Sequence, residues 1–158
     1  MNELIKFCAQ YLIFFVGLLM LYVFYKLPKN LRLEMAVGFI IAVFIAVVID
    51  KLAGKLYYDP RPFVSHHVSP LINHAADNGF PSEHTIAAMT ISTLLYFYRK
   101  KFALVAFVLT VIIGSARVAA HVHSPIDIIG GLVIGAIAGA GGYYLAPKII
   151  TAFGSKKT

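Results

Sequence analysis

The chain has 158 residues, 59% of them hydrophobic and only 13% charged, whereas an ordinary soluble domain carries about a quarter charged residues. That balance excludes a soluble globular protein and points to one small domain, residues 1–158, integral to a membrane. The net charge of +7 does not point to a nucleic-acid partner, because the basic residues gather at the ends of apolar runs, where they meet anionic lipid headgroups.

The first charge-free run, Phe7 to Tyr25, is about long enough to span a hydrocarbon core. It is long for a signal-peptide core and no small-x-small cleavage site follows it before Lys26, so it is expected to stay as an anchor. Cys8, the single cysteine, lies within it and offers neither a disulfide nor a cysteine metal site. Four further apolar runs follow: Met35 to Ile49, Thr85 to Tyr98, Phe102 to Ala116 and Ile128 to Pro147. Together they predict an all-α polytopic bundle of about five transmembrane helices, with an outer loop from Lys51 to Ser82 that has room for short helices.

Short-loop lysines and arginines mark the cytoplasmic side. Lys26, Lys29 and Arg32 follow the first run, Arg99, Lys100 and Lys101 the third, and Lys148, Lys156 and Lys157 the fifth. Five spans put all three clusters on one side, leaving the N-terminus outside and the C-terminus inside. Tyr25, Tyr96, Tyr98, Tyr143 and Tyr144 gather at the same ends, as an interfacial belt does. The other side receives all six histidines together with Arg61 and Arg117. Cations there run against the positive-inside bias, and an outward-facing anion site explains them; polar groups near membrane depth are costly enough to be functional by default.

The polar stretches in chain order carry the chemistry. YYDPRPF holds Arg61 between stiffening prolines. The loop that follows contains His66, His67 and His74, read as surface polar groups without a role. In GFPSEHT, Ser82 is placed to cap a helix whose first turn takes in Glu83 and His84, and whose free N–H groups attract anions. In SARVAAHVHSPID, Arg117 closes one helix, Ser124 looks like an N-cap, Pro125 stands at N1 and Asp127 at N3. An acidic group at N3 points back toward the residue before the cap, His123, and can hold its imidazole by one nitrogen. His121 lacks such a partner and is read as flanking. Guanidinium forks suit phosphate oxygens. Two arginines, two helix N-termini and two histidines on one side point to phosphoryl chemistry, with one histidine as nucleophile and one as acid. No metal or cofactor is expected, since there is no HExxH and no other clear ligand spacing. In the last run Gly131, Gly135 and Gly139 form a small-residue stripe, suited to close internal packing or to a homodimer face.

Arg61-Pro62, Pro81-Ser82-Glu83-His84 and Arg117-x5-His123-x3-Asp127 resemble the three-part signature of the type 2 phosphatidic acid phosphatase superfamily. The match runs from Lys51 to Asp127, and within the family YYDPRPFV and NHAADNGFPSEHT are most similar to bacterial undecaprenyl-diphosphate phosphatases of the bacitracin-resistance type. The resemblance implies a lipid diphosphate substrate, undecaprenyl diphosphate, cleaved at the outer face of a bacterial inner membrane so that the cell-wall lipid carrier is recycled. Phosphatidate or phosphatidylglycerophosphate is the alternative substrate within the family, and a non-enzymatic lipid transporter or binding subunit the reading from outside it. By the same resemblance His123 becomes phosphorylated, Asp127 holds its ring, His84 protonates the leaving group, and Arg61, Arg117 and Ser82 cradle oxygens. Three positions depart from the pattern. The family's lysine, seven positions before its arginine, is Gly54 here, with Lys55 one later and Lys51 a turn earlier. Its glycine in the second motif is Glu83, expected to tune substrate choice. The serine beside its third-motif arginine is Ala116, with Ser115 one position early.

Overall fold

The computed structural model describes residues 1–154; Lys156 and Lys157, assigned above to the basic end, lie outside them. Among these residues there are seven helices: α1 (Asn2–Gln10), α2 (Leu12–Lys26), α3 (Lys29–Leu56), α4 (Pro62–Ser65), α5 (Glu83–Tyr98), α6 (Lys100–Ala119) and α7 (Pro125–Gly154). Helices α3, α6 and α7 are long and apolar enough to cross a bilayer, and α1 with α2 makes a fourth span if the bent pair counts as one. The outside of the bundle is greasy: Phe14, Ile40, Phe44, Leu104, Val111 and Ile137 all expose more than half of their surface. A soluble monomer would not present such a mantle. This is a multi-pass membrane protein.

The first span differs from the continuous run expected from Phe7 to Tyr25. It starts at Asn2 and bends by 43° at a break between α1 and α2, where Tyr11 leaves helical geometry at φ −110°, ψ −21°. No proline or glycine causes the kink. Instead the carbonyl of Ala9, which a straight helix would give to Ile13, accepts from Nη1 of Arg117 at 3.4 Å. Ala9 is fully buried and Arg117 nearly so, so the arginine finds its acceptor on a helix rather than in water.

Helix α5 forms where the third run predicts it, but its 16 residues reach only about 24 Å, short of a hydrocarbon core of about 30 Å. It is the central pillar rather than a lipid-facing span. Half of its residues are buried, and α2, α3, α6 and α7 pack around it. The hydroxyls of Ser92 and Thr110 meet at 3.0 Å across the α5–α6 contact, one donating to the other while the second gives its hydrogen to the carbonyl one turn back, Ala88 for Ser92 or Ala106 for Thr110.

The glycine stripe of α7 faces α5 within the same chain. A Cβ on Gly135 would lie 2.7 Å from the carbonyl oxygen of Ile86, and one on Gly139 2.6 Å from that of Thr90. These glycines therefore bring two backbones of one chain together: of the two uses read from sequence they serve internal packing, and a homodimer face through them is corrected because α5 already covers it. At the end of the bundle away from the outer loop, the rings of Phe97 and Tyr143 stack at 4.2 Å, and Lys100 lies over Tyr96. The aromatic and basic residues thus mark one end, and the loop between α3 and α5 the other.

Candidate active site

Four elements meet at that second end: the C-terminus of α3, the N-terminus of α5, the C-terminus of α6 and the turn into α7. Asn78 ties them. Its side chain donates to the carbonyls of Gly54 and Tyr57 and accepts from the N–H groups of Asp59 and Phe80, which uses its full amide capacity. Gly79 beside it is buried against the site. A Cβ there would stand 2.8 Å from Oδ2 of Asp127, so only glycine lets the loop backbone lie against that carboxylate.

Asp127 is fully buried. Its Oδ2 accepts from the Ser124 N–H at 2.8 Å and pairs with Nδ1 of His123 at 3.1 Å. One carboxylate oxygen therefore both starts α7 and steers the imidazole. Only Asp127's half of the expected capping box is made, because the Ser124 hydroxyl turns to Asp59 instead. Around Nε2 of His123 stand Nη2 of Arg117 at 3.2 Å and Nη1 of Arg61 at 3.4 Å. Guanidinium groups only donate. Nε2 must then be the acceptor and Nδ1 the protonated nitrogen, an assignment made by the hydrogen-bond network. The ring presents its lone pair between two cations.

Arg61 is 5% exposed and Arg117 3%, and their forks are held from behind. Nε of Arg61 donates to Asp77 at 2.7 Å, and its Nη1 to the Val122 carbonyl at 2.7 Å. Both arginines line a cavity of about 370 Å³ together with His74, His84, Glu83 and His123. Lys51 and Lys55 reach its rim from α3, and the first-turn N–H groups of Glu83 and His84, which have no intrahelical acceptors, border it. A polar chamber of this size with two buried guanidinium forks has the room and the charge to take a phosphate-sized anion.

Electrostatics keep the imidazoles neutral. Burial, then the charges of Arg117 and Arg61, push His123 below its ordinary value against the hydrogen bond from Asp127, which raises it. His84 precedes the apolar part of α5, which begins at Thr85, and is pushed down to about 4, first by burial and then by the charge of Arg117. A neutral ring at His123 is the form that has a lone pair to give.

The cavity thus collects Arg61, His84, Arg117, His123, Glu83 and Lys55 from the sequence-derived set, with Asp127 directly behind His123. Ser82 does not line it. It is fully buried, makes no side-chain cap to α5, and its hydroxyl accepts from Thr85. Ser115 is exposed, and buried Ala116 offers no hydroxyl. His66, His67 and His121 are exposed, as a surface reading requires. His74 corrects that reading. Its ring lies edge-to-face with His123 at 6.1 Å, and burial followed by the arginine charges lowers its pKa. Asp77 was also missed; the Arg61 hydrogen bond holds its carboxyl below the usual range. Neither has a sequence signal beyond a polar loop, although Asn78-Gly79 is a turn signature that marks the segment. Among the described residues no three histidine, cysteine, aspartate or glutamate side chains converge as a metal-binding group.

A family profile described as the PAP2 superfamily matches residues 31–150. Over 151 residues the chain is 33% identical to a protein of Bacillus licheniformis named bacitracin transport permease protein BcrC, covering 94% of this chain and 73% of that one. It is 40% identical over 93 residues to the undecaprenyl-diphosphatase BcrC of Bacillus subtilis strain 168, 59% of this chain and 48% of the relative. A putative undecaprenyl-diphosphatase of Escherichia coli K12, YbjG, is 32% identical over 66% of this chain and 53% of its own length. The chain thus spans about half the length of these last two. Among solved structures, Aquifex aeolicus LpxE superposes with a TM-score of 0.65 at 26% identity, covering 90% of this chain and 93% of that one. A PAP2-type phosphatidylglycerolphosphate phosphatase of Bacillus subtilis shares the fold, with a TM-score of 0.60 at 20% identity over 99% of this chain and 78% of that one. With the profile matched over most of its length and the paired arginines, histidines and aspartate gathered at one cavity, the chain belongs to the PAP2 superfamily.

Proposed function

We propose that the chain is a phosphatase that converts undecaprenyl diphosphate to undecaprenyl phosphate and inorganic phosphate at the outer face of a bacterial inner membrane. The observation that carries this reading is Nε2 of His123, held by Asp127 through the far nitrogen and flanked at 3.2 and 3.4 Å by Arg117 and Arg61. Relatives named undecaprenyl-diphosphatase support the substrate. The outward orientation is supported by the basic clusters at the end of the bundle opposite the cavity.

In the first step the Nε2 lone pair bonds to the terminal phosphorus while the bond from that phosphorus to the bridging oxygen breaks. The two guanidiniums carry the charge on the equatorial oxygens, and the lipid phosphate leaves with the proton of His84. In the second step water gives a proton to His84, its oxygen bonds to phosphorus, and the N–P bond breaks to release inorganic phosphate. Asp127 keeps its hydrogen bond to Nδ1 throughout and stabilises the positive ring of the intermediate. His84 must be protonated for the first step, although burial and then the Arg117 charge push it down to about 4; the dianionic end of the substrate offsets the second of these.

The test is to trap a phosphohistidine with substrate labelled in the terminal phosphate and to locate the label by peptide mapping. Label on His123 is expected, lost in His123→Ala, with phosphate release faster from the prenyl diphosphate than from phosphatidate or phosphatidylglycerophosphate at equal detergent. Label elsewhere overturns the mechanism, and preference for a glycerolipid overturns the substrate. Transport of lipid that survives His123→Ala would turn the reading toward a carrier.

A further inference from the structure

A second cavity, about 260 Å³, runs along the outside of the bundle between α3 and α5, and its walls are apolar: Phe39, Val43, Ala46, Val47, Ile86 and Ile91. It is continuous with the polar chamber, because Asp50, Lys51 and Glu83 line both. Nζ of Lys51 stands at this seam, 3.1 Å from Asp50 and 3.6 Å from Glu83. The side chains of Lys51 and Glu83 are 68% and 75% exposed, so this ion pair is solvated and weak, and it gives way readily to a better anion. From Lys51 down α3 to Phe39 the groove follows the helix for about 18 Å, roughly the length of several prenyl units.

An anionic headgroup at Arg61 and Arg117 that is joined to an apolar chain in this groove must cross the seam. Resting on the substrate proposed above, we infer that Lys51, held at the seam by Asp50 and, more loosely, by Glu83, binds the lipid-proximal phosphate and is the residue that reads a diphosphate rather than a single phosphate. The terminal phosphate meets the two buried arginines. The second phosphate, bonded to the first allylic carbon, then lies where the polar chamber becomes apolar, beside Nζ of Lys51. Glu83 has two consequences. With Asp50 it draws the lysine across the mouth of the groove while the site is empty, and where Lys51 is lost it leaves an unpaired negative charge facing the arriving headgroup. Lys55 lines only the polar chamber, one turn nearer the end of α3, and is not at the seam.

The experiment uses the full chain in detergent or nanodiscs, with Lys51→Ala, Lys51→Arg, Glu83→Gln and the double variant Lys51→Ala/Glu83→Gln. Two quantities are read: kcat/KM for a prenyl diphosphate, and the inhibition constant of inorganic phosphate, which occupies the arginine site alone. Lys51→Ala is expected to lower kcat/KM by about tenfold to a hundredfold, the range for loss of one charge-assisted hydrogen bond, while the phosphate inhibition constant moves by less than about threefold. Lys51→Arg should restore most of the activity, and the double variant should exceed Lys51→Ala several-fold, because the uncompensated Glu83 charge is gone. Both side chains are exposed, so melting temperatures should match the wild type; a loss of activity accompanied by a lowered melting temperature counts against the inference. An equal loss in phosphate binding, or unchanged diphosphate hydrolysis in Lys51→Ala, overturns it, and a double variant no better than Lys51→Ala overturns the role of Glu83. If the wild type itself does not cleave the prenyl diphosphate, the substrate reading fails and this inference with it, a failure visible before any variant is made.

Discussion

Asp127→Asn separates the two duties of one oxygen. The substitution keeps the shape of the side chain, and the amide oxygen can still accept from the Ser124 N–H and from Nδ1 of His123, as Oδ2 does at 2.8 and 3.1 Å. Two things change. The amide nitrogen comes to the position of Oδ1, which is buried without a hydrogen-bond partner, and an unsatisfied buried donor costs about 1 to 3 kcal/mol of stability. The bond to the imidazole also loses its charge, and charge-assisted bonds exceed neutral ones by about 1 to 2 kcal/mol. That difference falls on the step in which the ring becomes positive, so kcat should drop about fivefold to thirtyfold, with more loss if the amide flips and stabilises the wrong tautomer. Because the Asp127 hydrogen bond raises the His123 pKa against burial, its weakening lowers that pKa further, and the acidic limb of kcat/KM moves to lower pH. The assay is rapid-quench measurement of phosphohistidine formation beside steady-state phosphate release, with thermal unfolding in detergent as the control. A variant that turns over within twofold of wild type, or an acidic limb that moves upward, would refute the argument that this carboxylate acts through the ring.

Arg61→Lys should lower kcat/KM by about thirtyfold or more, because one ammonium cannot serve Asp77, the Val122 carbonyl and an incoming phosphate as the fork does; activity within threefold of wild type refutes this. The basic limb of kcat should lie at higher pH than that of kcat/KM, since bound phosphate offsets the Arg117 charge that helps hold His84 at about 4 in the free protein; coincident limbs in paired pH profiles would remove His84 from the acid role. Gly135→Ala should destabilise the bundle by about 1 to 3 kcal/mol, since its Cβ would sit 2.7 Å from the Ile86 carbonyl oxygen and the Met89 Cβ. Thermal unfolding measures it, and an unchanged melting temperature shows that α5 and α7 are not in the contact described.

Where a relation spans few residues, it was legible in the amino-acid order. Asp127 and His123 are one helical turn apart, so the N3 position alone brings them together. The apolar runs locate α3, α5, α6 and α7 for the same reason. Relations across the chain were not legible. The bend at Tyr11 has no local breaker, and the partner that the Ala9 carbonyl finds there, Arg117, is far along the sequence. His74 and Asp77 sit in a loop without periodicity, and they reach the cavity only because Asn78 fastens that loop to the end of α3. The Ser82 hydroxyl was misassigned because a capping residue and a packing residue look alike until Thr85 folds against it. The glycine stripe was ambiguous because its periodicity does not name the surface it meets.

The bond from Arg117 to the carbonyl of Ala9 has a consequence for assembly. A buried cation at the end of α6 is anchored on α1, 108 residues away along the chain. Until those two segments meet, the guanidinium has no fixed direction and the chamber has no defined anion geometry. Displacing α1 should therefore loosen Arg117 and, with it, the contact it makes at His123.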